Sequence, residues 1–309
     1  MVAKSLRAVG IDYIAIFIAV SGLLSLGMIM VLSASSISSM QVSGNSYSIF
    51  LKQLLFIIIG LGLAYVATRI STEKWEVLAR LSFIFGILAL VATLVLGTNI
   101  NGNRNWISVG PFLIQPSEFA KLALILFSAL QLKKANKRSP DKPANPLLVV
   151  LPIALTFILL ILGGKDLGTA LIFAGITICI MIIAGLNQVY TFGTIGVAVV
   201  GAAVLAVTQP NRMRRFKALF DPFAPDVYKF AGWQPAHSMM GLASGGLFGV
   251  GIGASKQKWA NLAEAHTDFI FSVIGEEMGL LGTLIVISLY LLLLLAIFRV
   301  AIKIGRAHV

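Results

Sequence analysis

Apolar residues in this chain are gathered into eight runs, at about 11–33, 50–68, 79–97, 117–132, 146–163, 168–186, 190–207 and 279–302. Most approach the roughly 20 residues that a helix needs to cross the hydrocarbon of a bilayer. Only helices and closed barrels satisfy their backbone groups in lipid, and runs of this length are helical. The predicted fold is therefore all-α and polytopic, with about eight transmembrane helices. The fourth run is short and opens with Ser117, Glu118 and Lys121, which places its outer end away from lipid. Segment 269–278, apolar and then acidic, reads as a short helix leading into the last span.

Composition agrees. Of 309 residues 58% are hydrophobic and 12% charged, with a mean hydropathy of +0.94, against about 25% charged in soluble domains. A cytosolic enzyme, a disordered chain and a secreted disulfide scaffold are excluded. The single cysteine, Cys179, lies in an apolar run and has no intrachain partner. No cleavable signal peptide is expected, because the first run is too long and lacks a small-residue cleavage site. Residues 1–303 read as one integral membrane domain, 208–268 as a long loop within it, and 304–309 as a non-native tail.

Lysine and arginine set the expected orientation. Lys4 and Arg7, then Arg69, Lys74 and Arg80, then Lys133, Lys134, Lys137, Arg138 and Lys142 fall on one side. The opposite short loops hold only Lys52, Arg104 and Lys165. Both termini are thus predicted to be cytoplasmic and the 208–268 loop external, with Trp106, Trp233 and Trp259 in outer segments. The positive-inside rule accounts for the cytoplasmic share of the net charge of +12, but not for the external cluster Arg212, Arg214, Arg215 and Lys217. Two readings stand for that cluster: lipid headgroups or an anionic substrate. No nucleic-acid-binding motif is present.

Ionisable groups at membrane depth are costly and mark function. In the segment Asn101–Lys121, Pro116-Ser117-Glu118 marks a helix start with Ser117 as N-cap. Glu118 and Lys121, three apart, share a face and can pair, either as a cap ion pair or as part of a site. The second cluster, Glu264-Ala-His-Thr-Asp268, sits where the long loop re-enters the membrane, followed by Glu276-Glu277. A carboxylate partly desolvated there suits a general base; Thr267 or Asp268 as a helix N-cap is the structural alternative. The glycine-rich stretch Gly241–Lys256 has Ser255-Lys256 in the wrong order for a P-loop and reads as a tightly folded re-entrant segment. Asp166, in the turn Gly163–Thr169, caps the sixth helix or contacts substrate. His237, His266 and His308 show no metal-ligand spacing. Ser244 and His266 share one outer segment and do not make an intramembrane protease pair.

The strings Asn101–Lys121, Lys165–Thr169, Gly232–Lys256 and Glu264–Gly279 together resemble the SEDS family (shape, elongation, division and sporulation). Gln115-Pro-Ser-Glu-Phe-Ala-Lys121 and His266-Thr-Asp-Phe-Ile-Phe271 carry most of the likeness. Val31-Leu-Ser-Ala-Ser-Ser36 and Ile274-Gly-Glu-Glu277 resemble its FtsW branch more than RodA. The resemblance implies a peptidoglycan glycosyltransferase that polymerises lipid II, an undecaprenyl-pyrophosphate-linked disaccharide peptide, during septal wall synthesis. It would work at the outer face of the bacterial cytoplasmic membrane, beside a class B penicillin-binding protein and other division proteins. It also implies that Asp268 is catalytic and that Glu118 and Lys121 line the cavity. Arg104, Lys256 and Lys258 are candidates for pyrophosphate contact, with Glu264, Gln234 and Ser238 completing the substrate-binding set. A divalent cation, magnesium or manganese, is a candidate cofactor; no organic one is expected.

The chain departs from the family pattern at Ala263 and Lys165, where proline is usual, and at His237, where glutamine is usual. The family has ten spans and this chain ends after the eighth, so a truncated and inactive product is an expectation. The tail Ile304–Val309 resembles translated adapter sequence. Two other functions compete: a lipid II flippase, which should show paired internal repeats that are not evident here, and a non-catalytic scaffold of the division machinery.

Overall fold

In a computed structural model, the structure describes residues 2–100, 103–110, 112–138, 142–207, 210–259 and 261–306, with residues 2–9, 100, 112, 210–212 and 304–306 as backbone alone. Asn101 and, in the expected non-native tail, residues 307–309 with His308 lie outside that description, as do the side chains of Lys4, Arg7, Arg212 and Arg306. Ten helices and three short strands are found among the described residues.

Each apolar run falls on a helix. These are α1 (Val2–Ser43), α2 (Ser48–Thr68), α3 (Thr72–Leu96), α4 (Pro116–Arg138), α5 (Pro146–Gly163), α6 (Leu167–Ile183), α7 (Gln188–Val207) and α10 (Ile270–Arg306). Two further helices, α8 (Pro210–Phe220) and α9 (Trp233–Ser244), lie in the long loop. Among the described residues six helices are long and apolar enough to cross a membrane. α6 is shorter, at 17 residues, and α4 carries charge at both ends. Large apolar side chains face outward throughout, as with Phe17 (72% exposed), Leu63 (66%) and Val197 (75%), which is the surface a lipid-solvated helix presents.

The chain divides into two compact units, Met1–Tyr65 with Asn211–Val309, and Val66–Pro210. In the first, α1 lies along α10, and Met30 and Ala34 pack with Leu262, Ala265, Val273, Ile274 and Val286. Near the start of α1, buried Asp12 pairs with Lys303 and, at 3.3 Å, with Arg299. α10 is two helices in one: Gly279 (φ 66, ψ −162) interrupts it, leaving a short helix 270–278 before the apolar span. The short lead-in helix expected from the sequence is therefore present. Helix α5 of the second unit is opened by Pro146 after Asn145, whose side chain accepts from Leu147 N–H. The core of this unit joins α3, α4, α5 and α6 around Leu124, Phe157 and Phe173, with Phe83 stacked on Phe127 at 4.0 Å and edge-on to Phe157 at 5.5 Å. Helix α7 buries none of its residues.

Two expectations are corrected. Helix α4 begins at Pro116, so Ser117 lies inside its first turn rather than at the cap, with its hydroxyl buried and unbonded among the described residues. Against a purely all-α expectation, β1 (Thr98–Ile100), β2 (Asn103–Val109) and β3 (Phe112–Ile114) form an antiparallel sheet between α3 and α4, in the order β1-β2-β3.

Candidate active site

In the first unit, the glycine-rich loop folds back on the short helix 270–278 through main-chain bonds. Val250 N–H donates to Glu276 O (2.9 Å), Gly251 N–H to Glu277 O (3.1 Å) and Leu280 N–H to Gly246 O (2.9 Å). A Cβ at Gly249, where φ is +83, would stand 2.1 Å from Glu277 O. The glycines thus allow backbone to seat on backbone, which is the tight folding expected of this stretch.

The donors of this loop point inward, onto two carboxylates. Glu276, buried, accepts from Ser255 Oγ at 2.5 Å, Lys256 N–H at 3.0 Å and Gln257 N–H at 3.3 Å. Glu277, also buried, accepts from Ser33 Oγ at 2.8 Å, Ser255 N–H at 3.3 Å and Lys258 Nζ at 3.1 Å. Lys258 Nζ further donates to Gly253 O at 2.5 Å. As a pyrophosphate contact Lys258 is corrected: its ammonium is spent on a buried ion pair. Lys256, by contrast, is exposed.

Asp268 stands two residues before α10 and is exposed, where the sequence reading expected a partly desolvated group. Neither it nor Thr267 caps the helix. The Thr267 hydroxyl turns back to the Glu264 carboxylate at 2.9 Å, and the Asp268 carboxylate has no hydrogen bond or ion pair among the described residues. Glu264 is exposed and adopts φ 57, a left-handed conformation. Its carbonyl accepts from Thr267 and Phe269 N–H at 3.1 and 3.2 Å, so it shapes the turn that presents Asp268. Gln234 and Ser238 are half-buried on α9, and Ser238 O accepts from Ser272 Oγ at 2.7 Å. The His237 ring packs against Trp233, tilted by 40° with centroids 4.2 Å apart, and its Nδ1 lies 3.1 Å from Gln257 Oε1.

The remaining candidates belong to the second unit. Lys121 pairs with Glu118 at 2.8 Å, the three-residue pairing foreseen. Asp166 is the N-cap of α6, accepting from Thr169 N–H (3.0 Å) and Thr169 Oγ1 (2.8 Å), and it also accepts from Asn105 Nδ2 (2.7 Å). Lys165, just before it, has φ 63, a conformation closed to proline. The turn here therefore differs from one that proline would make. Arg104 is exposed on β2 and donates its backbone N–H to Gly164 O at 2.9 Å. Helices α5, α6 and α7 line an open apolar cleft of about 600 Å³, formed by aliphatic side chains such as Leu151, Leu155, Ile178 and Val197 together with Met181, Tyr190, Thr177 and Thr194. Among the described residues no three His, Cys, Asp or Glu side chains gather into a metal-binding group.

Sequence alone assigns no role to Glu276 and Glu277, nor to Ser33 and Ser255, which bond to them. The available signal was two adjacent carboxylates in an apolar stretch, at a depth where unpaired charge is not tolerated.

A family model described as "Cell cycle protein", covering FtsW, RodA and SpoVE, matches residues 14–308. The probable peptidoglycan glycosyltransferase FtsW of Nitrosomonas europaea is 37% identical over 284 residues, 90% of this chain and 72% of that protein. Its counterpart in Legionella pneumophila is 35% identical over 279 residues, covering 90% and 70%. The crystal structure of the rod shape determining protein RodA of Thermus thermophilus superposes with a TM-score of 0.60 at 25% identity, over 92% of this chain and 73% of that one. A chain from a structure titled for the coordination of polymerization and crosslinking by a peptidoglycan synthase complex gives 0.62 at 26% identity, over 90% and 76%.

Proposed function

The chain belongs to the FtsW, RodA and SpoVE family, and from that premise we propose that it is a peptidoglycan glycosyltransferase polymerising lipid II in septal wall synthesis. The observation that carries the mechanism is the Asp268 carboxylate: exposed, held by the Glu264 turn, and free of partners among the described residues. A general base must reach the proton it removes. Asp268 takes the proton of the acceptor sugar hydroxyl as its oxygen forms a bond to the donor anomeric carbon. The bond from that carbon to the lipid pyrophosphate breaks, and the pyrophosphate leaves with the electron pair. Cations offset the charge that develops there; Lys256, exposed and in the same unit as Asp268, takes this role. Glu264 and Asp268, both exposed, are the carboxylates that would hold a divalent cation, magnesium or manganese, and such an ion would supply further neutralisation of that charge.

Within the second unit, the apolar cleft of α5, α6 and α7 offers hydrocarbon and almost no polar surface, which suits a lipid chain. The site faces the outside of the bacterial cytoplasmic membrane, both ends of this chain are cytoplasmic, and a class B penicillin-binding protein crosslinks the product. The chain is assayed in proteoliposomes with purified lipid II and that partner. Strand synthesis by the unaltered chain, lowered about 10²–10⁴-fold in Asp268→Asn, is expected of a general base. Transfer of fluorescent lipid II between leaflets without polymer would establish a flippase instead.

A further inference from the structure

We infer that Glu276 is a positioning residue for Lys256, fixing the direction in which that ammonium meets the pyrophosphate of the substrate; this rests on the role given to Lys256 above. Residues 255–258 present three successive N–H groups, a hydroxyl and an ammonium, a set of donors able to cradle a phosphate. The carboxylates of Glu276 and Glu277 fill that cradle from within the protein. The loop therefore does not bind an anion with its backbone. It is clamped by one.

The clamp decides which side chain faces out. Ser255, Gln257 and Lys258 are buried, and Lys256 alone of the four is exposed. Both backbone groups of Lys256 are fixed: its N–H donates to Glu276 Oε1 at 3.0 Å, and its carbonyl accepts from Trp259 N–H and Asn261 Nδ2, each at 3.2 Å. With its peptide groups held on both sides, the direction of its Cα–Cβ bond is set, and only side-chain rotation remains.

Glu276 also ties this cation to the base. It stands on the short helix 270–278 that begins two residues after Asp268. Ile270 and Glu276 are separated by roughly 9 Å along a helix axis at 1.5 Å per residue. One rigid turn-and-a-half of helix thus carries the proton acceptor at its entrance and grips the loop of Lys256 further along. Movement of the loop relative to Asp268 would require Glu276 to release its three donors.

The test is binding of inorganic pyrophosphate to the purified full chain in detergent, followed by calorimetry, for the unaltered protein, Lys256→Ala, Glu276→Gln and the pair. The amide introduced by Glu276→Gln keeps the side-chain shape but offers one acceptor oxygen and turns an N–H toward backbone donors. Each single change is expected to weaken binding about tenfold, and the pair no more than either alone, because both remove the same contact. Amide hydrogen exchange at 256 and 257 should rise in Glu276→Gln and stay unchanged in Lys256→Ala. If Glu276→Gln does not fold, Ser255→Ala, which removes one of the three donors, takes its place, with a smaller loss that is again absent when Lys256 is alanine. Independent, multiplying losses would overturn the inference, as would pyrophosphate affinity indifferent to Lys256. The readout does not depend on strand synthesis. Failure of the glycosyltransferase assay with coupling intact would fall on the proposed reaction, and loss of coupling with synthesis intact would fall on Glu276.

Discussion

Lys258 and Glu277 meet at 3.1 Å with side chains 4% and 0% exposed, a complete ion pair closed off inside the first unit. Ser33 of α1 bonds to both partners, so the pair links α1, the glycine-rich loop and α10. Removing one partner strands the other. Lys258→Ala should lower stability by about 3–5 kcal/mol, whereas replacing both by methionine should be near neutral. Thermal unfolding in detergent separates the two outcomes.

The seam between the loop and the short helix is steric as well as polar. A Cβ at Gly245 would lie 1.9 Å from Gly275 O, backbone against backbone. Gly245→Ala should cost about 1–3 kcal/mol through forced displacement. Gly62→Ala, on α2 with open space around it, should be neutral or slightly stabilising by the helix preference of alanine. The paired measurement is again the unfolding temperature.

Asp166 closes the start of α6 and holds Asn105 in the same grip. Asp166→Ala should cost about 1–2 kcal/mol as a lost cap, while Asp166→Asn keeps one acceptor for Thr169 N–H and costs less. Hydrogen exchange at Thr169 should report the loss locally, before global unfolding does.

Helix α8 exposes Phe216, Leu219 and Phe220 alongside Arg214, Arg215 and Lys217, with Arg214 over the Phe230 ring and Lys217 3.5 Å from Asp226. That division suits a helix lying on a bilayer, with its cations among anionic headgroups. With Cys179 replaced by serine, a nitroxide at 216 or 220 should be relaxed by oxygen and shielded from aqueous nickel chelate, and one at 215 the reverse. Equal aqueous access at all three would favour the anionic-substrate reading of the cluster.

What could be read from the sequence was what depends on neighbours along the chain. Apolar runs became helices because a bilayer-length run has one way to satisfy its backbone. Glu118 found Lys121 because three residues place both on one helix face, and Asp166 capped α6 for a similarly local reason. One misreading arose from a contact distant in sequence, and two from local signals that are ambiguous or too short. Lys258 looked like a free cation until Glu277, 19 residues on, was found beside it. Ser117 looked like a cap because Pro116 as first helical residue serves the same start. The sheet at 98–114 was missed because its outer strands have three residues each, too few to show alternation.

Main-chain docking of the glycine loop has a consequence for how this segment tolerates substitution. The seam is built from peptide groups, so it discriminates against bulk and is indifferent to chemistry. Saturation mutagenesis should find Gly245 and Gly249 rejecting alanine, serine and aspartate alike, while Leu247 and Phe248 between them, both facing outward, accept other apolar residues. A drifting lineage could thus rewrite the side chains of this stretch and leave the junction itself untouched.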